Sequence, residues 1–166
     1  QAGDGLVIIT YSTAGLSSIS LNSGNNVACS GVPLSMIASN VQSYTWNPGG
    51  SNQPNITVTP QANIVYTVSG TNAQGCVSYA YASLTIQPLP NITIASSKTL
   101  ICVGDTALFI ASGASSYTWS SGPVFTPTLV VNSLTSSPYT VTGTSSVGCV
   151  NSAVISIPVN TLQLST

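Results

Sequence analysis

Apolar and polar positions alternate along this chain in short runs. The clearest lies at 76–87, where Ala80, Ala82, Leu84 and Ile86 fall on one side and Val77, Tyr79 and Tyr81 on the other. A period of two residues marks a β-strand with one buried face. Similar runs, rich in β-branched and aromatic residues, occupy 18–22, 33–39, 42–47, 55–59 and 64–71. Clusters of Gly, Pro, Asn and Ser separate them and favour turns. Asn72-Ala73-Gln74-Gly75 and Ser145-Ser146-Val147-Gly148 suit hairpin connections, with Gly supplying positive φ. No stretch shows a helical period. The pattern predicts an all-β protein.

The pattern also occurs twice. At an offset of 73, Cys29 meets Cys102, and Ser43-Tyr44-Thr45-Trp46 meets Ser116-Tyr117-Thr118-Trp119. Tyr66-Thr67-Val68 meets Tyr139-Thr140-Val141, and Gly75-Cys76-Val77 meets Gly148-Cys149-Val150. Laying 29–88 on 102–161 gives 22 identities in 60 positions without a gap. Upstream, Ile19 and Leu21 align with Ile92 and Ile94. This predicts two copies of one domain, at 18–90 and 91–163, followed by a short tail at 164–166. Pro88-Leu89-Pro90 marks a joint with almost no free linker, which suits a stiff connection.

Residues 1–17 belong to neither copy. They carry the densest β-forming run of the chain, Leu6, Val7, Ile8, Ile9, Thr10 and Tyr11. The run is apolar on both faces, so it calls for burial on both. Such a strand either completes a sheet of the first repeat or adds to a sheet of another copy, as strand-donating subunits do. Gln1 reads as a mature N-terminus exposed by processing.

Composition then narrows the chemistry. Among 166 residues the only charged side chains are Asp4, Lys98 and Asp105, and there is no His. General acid–base catalysis draws on His, Glu, Asp or Lys, and two distant carboxylates supply little of it. No His-containing triad can form. No metal ligand set suggests itself. The sequence therefore predicts no catalytic residues, no metal and no cofactor. One Lys cannot neutralise a phosphate backbone, so nucleic acid is not a partner. No apolar run, Leu6 to Ile9 included, comes near the ~20 residues of a spanning helix. A surface almost free of charge does not repel copies of itself, which favours a polymer or packed layer.

Trp46 and Trp119 fall on the third strand of each repeat, where an immunoglobulin-like (Ig-like) sandwich places its central Trp. Tyr66 and Tyr139 precede Val68 and Val141 by two, the spacing of a tyrosine corner. The series Cys29, Gly31, Tyr44, Trp46, Tyr66, Val68, Gly70, Gly75 and Cys76 recurs from Cys102 to Cys149. It resembles the Ig-like or PKD-like tandem repeats of secreted Bacteroidota surface proteins. That resemblance implies an extracellular setting, type IX export, and a role in adhesins, gliding-type filaments or stalks.

Two identically spaced Cys pairs point to an oxidising compartment. One disulfide per repeat, Cys29–Cys76 and Cys102–Cys149, would close loops worth about 4 kcal/mol each in the chain-entropy model. An Ig order, however, sets Cys29 and Cys76 at opposite ends of a sandwich, and bridged Cα atoms must lie within about 7 Å. The alternative pairs Cys29 with Cys149, leaving Cys76 to meet Cys102 of a neighbouring chain.

Further candidates remain. Tyr79 and Tyr81 share an outward strand face, where repeat 2 has Ser152 and Val154, and suit an interface or a glycan-stacking platform. Asn55 and Asn91 head N-x-Thr sequons. Asp105-Thr106-Ala107 resembles the Bacteroidota O-glycosylation triplet, with Thr106 as acceptor. Asp4 on the arm and Lys98 in repeat 2 are an opposite-charge pair available to set a register between copies. The sequence thus predicts two tandem Ig-like β-sandwich domains with an extra N-terminal β-strand arm. The expected role is a secreted, non-enzymatic, self-assembling subunit of an extracellular filament or surface layer. The alternative is an adhesin or carbohydrate-binding segment of a larger cell-surface protein.

Overall fold

The computed structural model of the chain describes residues 7–9, 18–21, 26–122, 124–132 and 135–160. It forms two compact units, Gln1–Pro88 and Leu89–Thr166. The described residues contain strands and turns and no helix.

In unit 1 the strands are β1 (Val7–Ile9), β2 (Ser18–Leu21), β3 (Val27–Cys29), β4 (Leu34–Ser39), β5 (Ser43–Asn47), β6 (Asn55–Val58), β7 (Ile64–Thr71) and β8 (Val77–Gln87). One sheet has the order β1-β2-β4-β6 and the other β3-β8-β7-β5. All pairings are antiparallel except β3 with β8. Consecutive strands β4 and β5 lie in different sheets, as do β6 and β7. This crossing between sheets is the order of an Ig-like sandwich. Alternation delivers the core: Leu34, Met36 and Ala38 from β4 pack with Trp46, Tyr66, Val68, Ala80, Ala82 and Leu84 from the opposing sheet.

Unit 2 repeats the plan with β9 (Thr93–Ser96), β10 (Ile101–Cys102), β11 (Thr106–Ser112), β12 (Ser116–Trp119), β13 (Thr128–Asn132), β14 (Pro138–Thr144), β15 (Val150–Ser156) and β16 (Val159–Asn160). Its sheets run β13-β11-β9 and β12-β14-β15, with β16 pairing parallel to β10. Phe109 takes the core place that Met36 has in unit 1, 6.3 Å from the Trp119 ring and 5.5 Å from that of Tyr139. Both Trp side chains are fully buried and keep a polar partner. Trp46 Nε1 donates to the Gln53 carbonyl at 2.9 Å, and Trp119 Nε1 to that of Thr126 at 3.1 Å. These acceptors are themselves 73 residues apart.

The repeated glycines Gly70 and Gly143 have a packing reason. A Cβ on Gly70 would come within 2.5 Å of Val41 Cγ2, and one on Gly143 within 2.8 Å of the Ala114 Cβ. The long strand β8 is broken in unit 2 into β15 and β16. Pro158 stands where β8 has Thr85, whose N–H donates to the Asn26 carbonyl at 2.8 Å, and proline has no N–H to give.

Two sequence expectations need correction. The short strand β3 falls in a stretch read as a connection, because three residues carry no readable period. The alignment of Ile19 and Leu21 with Ile92 and Ile94 is also displaced by two. Ala38 pairs with Ile19, and its equivalent Ala111 pairs with Ile94. The segment from β2 to Cys29 is two residues longer than that from β9 to Cys102, and the strand pairing absorbs the difference.

Candidate functional site

The arm is the first candidate. Val7, Ile8 and Ile9 form β1, which pairs antiparallel with β2 of its own chain through Val7–Leu21, Ile8–Ser20 and Ile9–Ile19. Leu6, Thr10 and Tyr11 lie outside the described residues, as does Asp4. β1 is the terminal strand of its sheet, so its other edge has no strand beside it among the described residues.

The matching edge in unit 2 also has no strand beside it among the described residues. β9 is the counterpart of β2, and it ends the sheet β13-β11-β9. The Ser97 N–H donates inward to the Leu108 carbonyl at 2.9 Å. By alternation the N–H groups of Ile94 and Ser96 point outward, along the free edge. A free edge is a template for another strand. Lys98, just past this edge, is engaged by Asp105 of the same unit at 3.2 Å. Both side chains are about half exposed, so the pair contributes under ~1 kcal/mol. Asp4, the partner expected for Lys98 in a neighbouring copy, lies outside the described residues.

The cysteines occupy two local settings, each present twice. Cys76 closes the β7–β8 turn: its N–H donates to Asn72 Oδ1 at 2.9 Å, and the Asn72 N–H to its carbonyl at 3.0 Å. Cys149 sits in the same turn of unit 2, with Ser145 in the place of Asn72. Cys29 ends β3 opposite Gln87, and Cys102 ends β10 opposite Asn160. Cys29 and Cys149 are disulfide-bonded, whereas Cys76 and Cys102 are free and exposed. The expected pairing within each repeat is therefore corrected. Cys29 lies beside the last residue of β8 and Cys76 just before its first. At about 3.3 Å per residue these points are roughly 35 Å apart, some five times the reach of a disulfide. The same eleven-residue separation divides Cys102 from Cys149.

On β8, Tyr79 and Tyr81 are 56% and 55% exposed. They stand opposite Ser69 and Thr67 of β7, and Val65 and Val77 continue the outward face. Burial instead pushes the Tyr66 phenol, on the inner face, above its ordinary range. Asn55, Asn91 and Thr106 are all exposed and thus open to modification. An open depression of about 370 Å³ lies against Pro48, Gly49, Ser51 and β6, and its lining has no acid or base.

No family model matches the chain, and no curated protein sequence matches it. Several solved structures are similar in fold. One is the full ectodomain (Ig1–Ig3) of mouse nectin-like molecule 4, with 12% identity over 97% of this chain and 68% of that one, at a TM-score of 0.39. Another comprises fibronectin(III)-like modules of Clostridium thermocellum CbhA, with 10% identity over 89% of this chain and 97% of that one, at 0.42. A third concerns host cell surface retention of a 1.5-MDa bacterial ice-binding adhesin, with 16% identity over 83% of this chain and 62% of that one, at 0.35. At that level of similarity they carry no functional argument, and the Ig-like assignment rests on the strand order.

Proposed function

We propose that this chain is a non-enzymatic, extracellular structural subunit that assembles head to tail into a filament or surface layer. In this reading β1 is the joining strand. It stays on β2 of its own copy, and its open outer edge meets the open edge of β9 in the next copy. Sheet β13-β11-β9 of one molecule then continues into sheet β1-β2-β4-β6 of another, and no existing pairing has to break. A contact between two different surfaces of the subunit propagates without closing.

The observation that carries the reading is the asymmetry between the units. The edge of β2 is covered by β1, while the equivalent edge of β9 is open among the described residues. Composition supports it, since three charged side chains on 166 residues impose little repulsion between stacked copies. Disulfide-bonded Cys29 and Cys149 suit the oxidising space outside a cell. The resemblance to secreted Bacteroidota repeats, with type IX export, agrees with the same setting. Sugars on Asn55, Asn91 or Thr106 would supply solubility that charge does not.

Negative-stain imaging of the full chain and of a chain lacking residues 1–12 tests the proposal. Fibres or sheets are expected from the first and none from the second. Equal assembly by both removes the joining role of the arm. The exposed pair Tyr79 and Tyr81 favours a second reading, an adhesin whose aromatic face stacks on surface glycans. A glycan array that retains the parent and releases a Tyr79→Ser, Tyr81→Val chain, the residues of repeat 2, would establish it.

A further inference from the structure

The two free cysteines are not used by the strand contact, and their placement is informative. Four cysteines occupy two settings: the end of the short strand that pairs parallel (Cys29, Cys102) and the hairpin turn before the last long strand (Cys76, Cys149). The two bonded residues, Cys29 and Cys149, are one of each kind, and so are the two free residues. Within unit 1 or unit 2 no bond can close, because about 35 Å of strand separates the two settings. Both free thiols are exposed, on backbone held by hydrogen bonds. Cys76 is fixed by the Asn72 side chain, and the carbonyl of Cys102 accepts from the Asp105 N–H at 2.9 Å.

We propose that Cys102 of one copy and Cys76 of the next form an intermolecular disulfide, so that the assembly is covalently linked. The bond joins one setting of each kind. It lies between unit 2 of one molecule and unit 1 of another, the same polarity as the proposed strand contact, but it rests on the cysteines alone. The oxidant is a disulfide, either a small molecule such as oxidised glutathione or a protein catalyst of exchange. One protein thiolate attacks a sulfur of that disulfide and displaces one thiol. The second protein thiolate then attacks the mixed disulfide and displaces the other. Two protein thiols become one protein disulfide, and one oxidant disulfide becomes two thiols.

The test is non-reducing electrophoresis of the full chain after equilibration with oxidised glutathione. A ladder of multiples is expected, collapsing to monomer on reduction, with mass spectrometry finding the Cys76 peptide joined to the Cys102 peptide. Cys76→Ser and Cys102→Ser chains should each run as monomers. Mixed, they should give dimers and nothing larger, because each supplies one half of the bond. Absence of a ladder overturns the inference, as does a Cys102→Ser chain that dimerises alone through Cys76. Failure here is distinguishable from failure of the strand reading. Fibres whose Cys76 and Cys102 thiols remain fully alkylatable contradict only the covalent link. A ladder without fibres contradicts only the strand.

Discussion

The sharpest contrast between the two repeats is at Gly113 and its counterpart Asn40. Both have a left-handed backbone, φ 98° and 71°. Asn40 shows that a side chain is accepted in this conformation, and Asn is among the residues that adopt it most readily. Gly113 differs in its surroundings. A Cβ there would overlap the Asn91 carbonyl oxygen and lie 2.8 Å from its carbon. These are backbone atoms leading into β9, so relief requires β9 to move away from β11. Replacing Gly113 with Asn, the residue of repeat 1, should therefore be costly. Overpacking of this kind costs about 1–3 kcal/mol, and the backbone overlap puts it at the upper end. A loss of about 3 kcal/mol corresponds to a melting point lower by roughly 12–24 °C for a domain of this size. Asn40→Gly removes only an exposed contact to Ser39 Oγ and should cost under about 0.5 kcal/mol. Urea denaturation followed by Trp fluorescence measures both. If Gly113→Asn costs no more than Asn40→Gly, the close approach of Asn91 to Gly113 is wrong, and so is the placement of β9.

Other consequences follow from the same structure. Trp46→Phe loses the bond to the Gln53 carbonyl and leaves a partly filled site, so chemical denaturation should show a loss of about 2–3 kcal/mol. Asn72→Ala removes the acceptor for the N–H groups of Gln74 and Cys76, with an expected cost of about 1 kcal/mol in the same assay. Burial raises the Tyr66 phenol above 10.0, so the folded chain holds that proton longer than the unfolded one. Its contribution is complete below pH 10 and is lost as pH rises through the elevated value. The alkaline decline in stability should be shallower in a Tyr66→Phe chain titrated over the same range. The proposed assembly, followed by light scattering, should change less than about twofold between low salt and ~1 M NaCl, because the proposed strand contact is not built from charges. A steep salt dependence would contradict that.

Strands with a clear period were legible in the sequence. The alternation at 76–87 placed Ala80, Ala82 and Leu84 on one face and Tyr79 and Tyr81 on the other, and the structure has the first set inside and the second outside. The repeat carried the strand order from one unit to the other. What sequence did not show was set by contacts distant along the chain. β3 is three residues long and gains its identity only from β8, more than fifty residues away. An Ig order already set Cys29 and Cys76 at opposite ends of the sandwich, but with β3 unread the pairing within each repeat stayed open. The two-residue displacement of β9 was hidden for a similar reason: identity of apolar residues cannot detect a slide that preserves which face they occupy. The apolar arm was conspicuous in sequence, but a run apolar on both faces does not say which edge it pairs with, and its place on β2 was not legible.

The most direct test of the assembly is hydrogen exchange at the outward amides of β9. If β1 joins the copies, the N–H groups of Ile94 and Ser96 are open in the isolated chain and bonded to β1 of the next copy in the assembled one. Their exchange should slow markedly on assembly, while remaining fast in a chain lacking residues 1–12. If Ile94 and Ser96 exchange as quickly in fibres as in the truncated chain, the arm does not join the copies through β9.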